Sequence, residues 1–217
     1  MITGSPLHLA VGYYPLTSST AANDSSLSKN PPGQLANAHL STGVYGENGG
    51  SYLFSGTRSP PSYIRLPSSH ALDTRNSITL LAWVYPEGTG GEIISYWQDS
   101  NYGVSISIEN SRPVFHLYSR DQSTKFSLLS NMKLQSSQWS HIAGSFDNRT
   151  GNATLYVNGI KVGSKTGLGS LELQTEYDLW LSYLFKGKLS QIWIFNVSLD
   201  KQKIKEVMDF MKSTPSE

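Results

Sequence analysis

Between Gln138 and Ser164 the chain reads QWSHIAGSFDNRTGNATLYVNGIKVGS, and this stretch limits the fold more than any other. Ile142, Gly144 and Phe146 fall on one side and His141, Ala143 and Ser145 on the other, the period of two that marks a strand. The turn-forming run DNRTGN follows, and the alternation resumes at Leu155 and Val157. Asn158-Gly159 then supplies the strongest short-range hairpin signal, because both residues tolerate positive φ, and Ile160 and Val162 return the chain. Three antiparallel strands with one apolar face need a second layer to cover it.

The remaining sequence supplies that layer. Strand patterns occur at LAVGYYPL (Leu9–Leu16), GSYLFSG, SYIRLP, SITLLAWVYP, GEIISYWQ, GVSISIE, RPVFHLYSR, FSLLSNMKL, EYDLWLSYLF and GKLSQIWIFNVS, separated by turn residues at spacings near ten. Many short strands with hardly any helix predict a two-sheet antiparallel sandwich. The segment TSSTAANDSSLSKNPPGQLANAHLS, rich in Ser, Asn, Pro and Gly, lies among these strands and is expected to be an ordered loop wrapping a sheet edge. One helix is predicted at the end, with Ile204, Val207, Met208 and Met211 at helical spacing, Ser198 as N-cap and Asp200 in the first turn.

At 217 residues one core suffices. Charged residues make up only 15% of the chain and the net charge is +1, which provides no field for nucleic acid. No apolar run approaches the ~18 residues of a membrane helix, and the acidic residues Asp200, Glu206 and Asp209 dilute the basic face of the terminal helix, so direct membrane insertion is not expected. The start MITGSPLHL has neither the basic region nor the long apolar region of a signal peptide. Residues 1–8 are therefore expected to be tag or linker, 9–211 one domain and 212–217 a tail. Cysteine is absent, which removes disulfides, thiolate metal sites and thiol nucleophiles. Four acceptor sequons, at Asn23, Asn148, Asn152 and Asn196, favour an extracellular protein. Asn148 and Asn152, in or beside the DNRTGN turn, are expected to be accessible and Asn196, at a strand end, shielded.

The order of these motifs, AVGYYPL…NDSS, GSYLFSG…SYIRLP, SITLLAWVYP, QWSHIAGSFD, ATLYVNGIKVG and GKLSQIWIFNVSL followed by a helix, resembles the laminin-G-like, concanavalin-A-like jelly-roll family, in its pentraxin-related branch. The resemblance runs from about Leu9 to Met211. It implies two antiparallel sheets packed face to face, with Trp139, Ile142 and Phe146 in the core and YVNG turning the corner. It also implies calcium as a candidate cofactor, held by an Asp of the long first loop and an acidic residue in the last strand. Asp24 of NDSS matches the first position; Ser190 and Gln191 stand where acidic residues are usual, so the site is expected to be weak or empty.

No catalytic constellation is evident. Glu172, Glu176 and Asp178 are the nearest approach to the carboxylate pair of glycoside hydrolysis, but LELQTEYDL reads as a polar turn. His8, His39, His70, His116 and His141 lack histidine or carboxylate partners at strand or helix spacing, and His116 and His141 are expected on sheet faces. SYWQDSNYG sets Trp97 and Tyr102 among polar groups, the mixture that stacks on sugars or anchors an interface. The expected function is a non-enzymatic extracellular recognition module with a protein or glycan partner; a carbohydrate-active enzyme and a self-association domain are the alternatives.

Overall fold

The structure, a computed structural model, describes residues 5–210. In chain order the strands are β1 (Ala10–Tyr14), β2 (Gln34–Ala36), β3 (His39–Ser41), β4 (Ser51–Ser55) and β5 (Tyr63–Leu66). There follow β6 (Ile78–Pro86), β7 (Gly91–Gln98), β8 (Asn101–Glu109), β9 (Arg112–Tyr118) and β10 (Lys125–Leu129). The last five are β11 (Ser140–Asp147), β12 (Asn152–Val157), β13 (Ile160–Lys165), β14 (Leu179–Leu181) and β15 (Lys186–Phe195), with helix α1 (Lys201–Asp209) after them. All pairings are antiparallel and divide the chain into two sheets of a jelly-roll sandwich. The eight-stranded sheet runs β13-β12-β11-β6-β15-β4-β3, with β1 also on β15; the seven-stranded sheet runs β10-β9-β8-β7-β14-β5-β2.

The long polar segment does more than wrap an edge. Its end forms β2, which pairs with β5 of one sheet, and β3, which pairs with β4 of the other, so it crosses between the layers. Strand β15 meets β4 along Lys186–Leu189 and β1 along Ile192–Phe195. The switch occurs at a bulge where Gln191 has φ 51° and its N–H donates to Pro15 O at 3.1 Å. Two expected strands are shorter than their patterns: only Leu179–Leu181 of EYDLWLSYLF and Lys125–Leu129 of FSLLSNMKL pair regularly.

Between the sheets lies the main core, built from Phe54, Tyr96, Phe115, Phe146, Phe185 and many aliphatic side chains. Ile142 and Phe146 are fully buried there, as expected. Trp139 is not; it precedes β11, is half-buried and packs edge-on against Tyr85 with ring centroids 5.5 Å apart. Gly144 lies opposite Phe115 of the other sheet. A Cβ at Gly144 would come within 2.6 Å of the Phe115 ring, so the glycine lets that ring fill the space between the layers.

A second apolar cluster covers the outer face of the eight-stranded sheet. Ile204 and Val207 of α1 pack on Tyr13, Leu81, Ala143, Tyr156, Trp193 and Phe195, with Leu7 of the 3-10 turn Pro6–His8 at its edge. Tyr13 stacks on Trp193 at 3.7 Å. The helix is capped by Asp200, whose carboxylate accepts Lys203 N–H at 2.9 Å, and not by Ser198. Ser198 instead bonds the hydroxyl of Ser145 at 2.8 Å, tying the approach to the helix onto β11. The expected helix position Met211 lies outside the described residues. No helix among the described residues is long and apolar enough to cross a membrane.

Candidate functional site

Because α1 packs on one sheet only, the outer face of the seven-stranded sheet has no helix over it among the described residues. Strand alternation decides what stands on it. Ile64, Leu66, Ile94, Tyr96, Val104, Ile106, Phe115, Leu117, Leu179 and Leu181 point into the core, so the residues between them point out. One cross-strand row runs the width of the sheet: Ser127, His116, Ser105, Ser95, Trp180, Arg65 and Gln34. A neighbouring row holds Leu129, Val114, Ser107 and Glu92.

The row has an aromatic end and a polar end. Trp180 is flanked by Trp97 at 5.4 Å and Tyr63 at 4.9 Å, both edge-on, with the Arg65 guanidinium 5.7 Å from its ring centre. Its indole N–H donates to Trp97 O at 3.0 Å. Tyr183 lies 5.2 Å from Trp97, and Asp178 accepts from Arg65 at 2.6 Å, holding the guanidinium in place. All four rings and Arg65 are half-buried, leaving ring edges and faces available to a partner. Tyr102 is half exposed, pairs across from Trp97 on the β7–β8 hairpin and stacks on Tyr118 at 6.0 Å, with Lys125 over Tyr118. Trp97 and Tyr102 therefore share one face. Trp97 is also packed against Trp180 and Tyr183, so it serves both structure and surface.

At the polar end Ser95, Ser105 and Ser107 are buried beneath larger neighbours. His116 is held at both nitrogens, Nδ1 to Ser127 Oγ at 2.8 Å and Nε2 to Ser107 Oγ at 3.0 Å, and Glu109 lies 3.4 Å from Nε2. Burial pulls its imidazole below the usual histidine range, against the opposing pull of Glu109. Glu92 is half-buried; burial pushes its carboxyl up to about 7, with Glu109 adding to the rise and Ser105 opposing it. Sequence reading missed Glu92, Trp180 and Tyr183. The signal for Trp180 was present, since a tryptophan between Leu179 and Leu181 must face away from the core they enter.

The other candidates lie elsewhere. Asp24 is buried and accepts five hydrogen bonds: Oδ1 from Tyr13 N at 2.9 Å and Ser26 N at 2.8 Å, Oδ2 from Ser26 Oγ and Asn30 N at 2.8 Å and Asn30 Nδ2 at 2.7 Å. Ser190 donates to Gly50 O at 2.8 Å. Donors saturate the carboxylate, and the Ser190 hydroxyl engages a carbonyl that a cation would need. Among the described residues the buried oxygens nearby that lack a partner are Gln191 Oε1 and the Tyr14 hydroxyl, against the six to eight oxygens calcium takes, so these residues do not fit a calcium ion. Among the described residues no three His, Asp or Glu side chains gather as a metal site.

Glu172 and Glu176 face Arg120, at 3.5 and 3.0 Å, and Asp178 faces Arg65, so each has a cationic partner. His141 is buried on the helix side, edge-on to Trp83 at 5.3 Å, and burial drives its imidazole down to about 3. Of the sequons, Asn23, Asn152 and Asn196 are exposed, whereas Asn148 is half-buried and its Oδ1 accepts Leu171 N–H at 2.6 Å. The expected shielding of Asn196 is therefore reversed: β15 ends at Phe195 and the next side chain points to solvent.

A family model described as the concanavalin A-like lectin/glucanases superfamily matches residues 36–205. No curated protein sequence matches the chain significantly. Among solved structures, the chain is similar to the binding domain of Paraclostridial Mosquitocidal Protein 1, with TM-score 0.75 and 14% identity over 94% of this chain and 53% of that one. It is similar to the botulinum neurotoxin serotype G binding domain, with TM-score 0.72 and 15% identity over 94% and 51%. It is also similar to domain 4 of AbnA, a GH43 extracellular arabinanase from Geobacillus stearothermophilus in complex with arabinotriose, with TM-score 0.69 and 21% identity over 91% and 97%. The chain thus spans about half of each toxin binding domain and nearly all of the arabinanase domain. At these identities the likeness is one of fold.

Proposed function

The chain belongs to the concanavalin A-like lectin/glucanase superfamily, and from that premise we propose that it is a non-catalytic recognition module that binds a glycan on the outer face of its seven-stranded sheet. The observation that carries this reading is the cluster of Trp97, Trp180, Tyr63, Tyr183 and Arg65 on a sheet face with no helix over it. Half-buried rings held by their neighbours lose little freedom on binding and offer apolar faces to sugar C–H groups, while the flanking hydroxyls and charges meet sugar hydroxyls. The arabinotriose bound to the arabinanase domain and the SialylT bound to a botulinum neurotoxin DC binding domain of similar fold support a glycan partner. The synaptotagmin II complex of the latter toxin domain keeps a protein partner as the second outcome of the test.

A non-catalytic role is supported by the arginine partners of Glu172, Glu176 and Asp178. The exposed sequons support a place outside the cell, as one module of a larger protein. A glycan array probed with wild type and with Trp180→Ala tests the reading: glycans bound by the first and lost by the second are expected. Turnover of any bound glycan, or undiminished binding by Trp180→Ala, would overturn it.

A further inference from the structure

Hydrogen-bonding groups on the seven-stranded sheet's outer face are matched in the main. His116 is bonded at both nitrogens, Arg65 is held by Asp178, and Trp180 donates to Trp97 O. Two atoms differ. Glu92 Oε2, an acceptor when ionised, and Trp97 Nε1, a donor, are both sealed from water and have no hydrogen-bond partner. Buried polar groups in folded proteins are nearly always paired, so an unpaired acceptor and an unpaired donor on one face invite a ligand that supplies both partners.

We propose that Glu92 and Trp97 are the hydrogen-bonding anchors of a site for a neutral oligosaccharide, with a sugar hydroxyl donating to the Glu92 carboxylate and a sugar oxygen accepting from Trp97 Nε1. This rests on the glycan-binding reading of the same face. Both residues are on β7, five positions apart, which at strand rise is about 15 Å and calls for a ligand longer than one sugar. Tyr183 joins the two ends: Glu92 N–H donates to Tyr183 O at 2.8 Å, and the Tyr183 ring lies 5.2 Å from that of Trp97. Both side chains are only half-buried as wholes, and rotation about the terminal torsions of Glu92 and Trp97, which are broad in energy, brings the two orphaned atoms to the ligand. Neutral sugars are favoured because Glu92 and Glu109 stand together at that end and repel an anionic one.

The same carboxyl makes binding depend on pH. The charged and titratable groups around it are Glu109 on β8, with Arg112 and His116 of β9 beside that residue, Lys125 on β10 and Tyr183 beyond β14. Burial holds Glu92 at about 7 in the free protein, with Glu109 adding to the rise and Ser105 and Lys125 opposing it. The ionised carboxylate accepts from a hydroxyl far more strongly than the neutral acid does, so loss of the proton accompanies tight binding. Affinity is therefore expected to be about 10-fold weaker at pH 6 than at pH 8.

The test uses the full chain and isothermal titration with arabinotriose, cellotriose, xylotriose and a sialylated trisaccharide, at pH 6 and pH 8. Expected are binding of at least one neutral trisaccharide in preference to the sialylated one, and about 10-fold tightening at the higher pH. Glu92→Gln should weaken binding at pH 8 and flatten the pH dependence, while Trp97→Phe, which keeps a ring, should weaken it equally at both pH values. Circular dichroism shows whether each variant is folded, and carboxyl chemical shifts of the unliganded wild type follow Glu92 directly should a variant not fold. Tight binding that ignores pH, persists in Glu92→Gln or prefers the sialylated sugar overturns the anchors and leaves the sheet-face reading standing. Failure of every glycan to bind, or normal binding by Trp180→Ala, overturns both.

Discussion

Replacing Asp24 by alanine should destabilise the protein severely, and without reference to any metal. The carboxylate takes the backbone N–H groups of Tyr13, Ser26 and Asn30 together with two side-chain donors, all at 2.7–2.9 Å, in a site that is 8% exposed. Alanine leaves three buried amides without an acceptor. At ~1–3 kcal/mol per unsatisfied buried group, and with water entering the vacated space to recover part of it, the loss is about 3–5 kcal/mol. In a domain of this size each kcal/mol shifts Tm by about 2–4 °C, so a fall of about 10–15 °C is expected. Asn30 belongs to the same network, since its amide also donates to Val11 O at 2.7 Å and its Oδ1 accepts from Ser69. Asn30→Ala combined with Asp24→Ala should therefore cost less than the two losses summed. The assay is thermal unfolding followed by circular dichroism, with EDTA and with millimolar calcium. Wild-type Tm should be the same in both. A wild-type Tm that drops in EDTA and recovers with calcium, or an Asp24→Ala loss below about 1 kcal/mol, would refute the hydrogen-bond account and restore Asp24 as a metal ligand.

Gly144→Val should cost about 1–3 kcal/mol in urea denaturation, because its side chain would enter the space of the Phe115 ring; a neutral result would mean that the two layers separate more easily than a close-packed core allows. His141, held neutral down to about 3, titrates near 6.5 once unfolded. Its contribution to stability is therefore complete above pH 6.5 and is lost as pH falls from there towards 3. His141→Phe, which retains an aromatic edge against Trp83, should flatten the fall of Tm between pH 6.5 and pH 4, and an unchanged slope would mean that other groups cause it. Expression in a eukaryotic secretory host should add mass removable by peptide-N-glycosidase, with Asn23, Asn152 and Asn196 occupied ahead of Asn148. Peptide mapping that finds Asn148 modified first, or no glycan at all on secreted protein, would contradict that order or the extracellular reading.

The strands, their faces and the hairpin at Asn158-Gly159 were legible because they depend on local geometry. Successive side chains must alternate across a strand, so Ile142 and Phe146 share a side wherever the strand is placed. Trp139 and Ser198 show the limit of such reasoning. Trp139 continues the apolar pattern but precedes the ladder, and Ser198 has the chemistry of an N-cap but is drawn to Ser145 on β11, leaving Asp200 to start the helix. In both cases a partner distant in sequence outweighed a weak local preference.

What the sequence determined by itself, then, is the inventory of faces: which residues of each strand stand together, and that a closing helix has an apolar side to bury. Tertiary structure alone decided which face that helix covers. With α1 packed on Tyr13, Leu81, Ala143 and Trp193, the eight-stranded sheet is closed on its outer side and the other sheet is left to present its outward residues. It also decided which of them meet. Trp97 and Trp180 are 83 positions apart and touch only because β14 pairs with β7, and Glu92 comes beside Ser107 only because β7 pairs with β8. Alternation is a property of the covalent chain, whereas convergence depends on strand order, which is set by the packing of two whole sheets around one core.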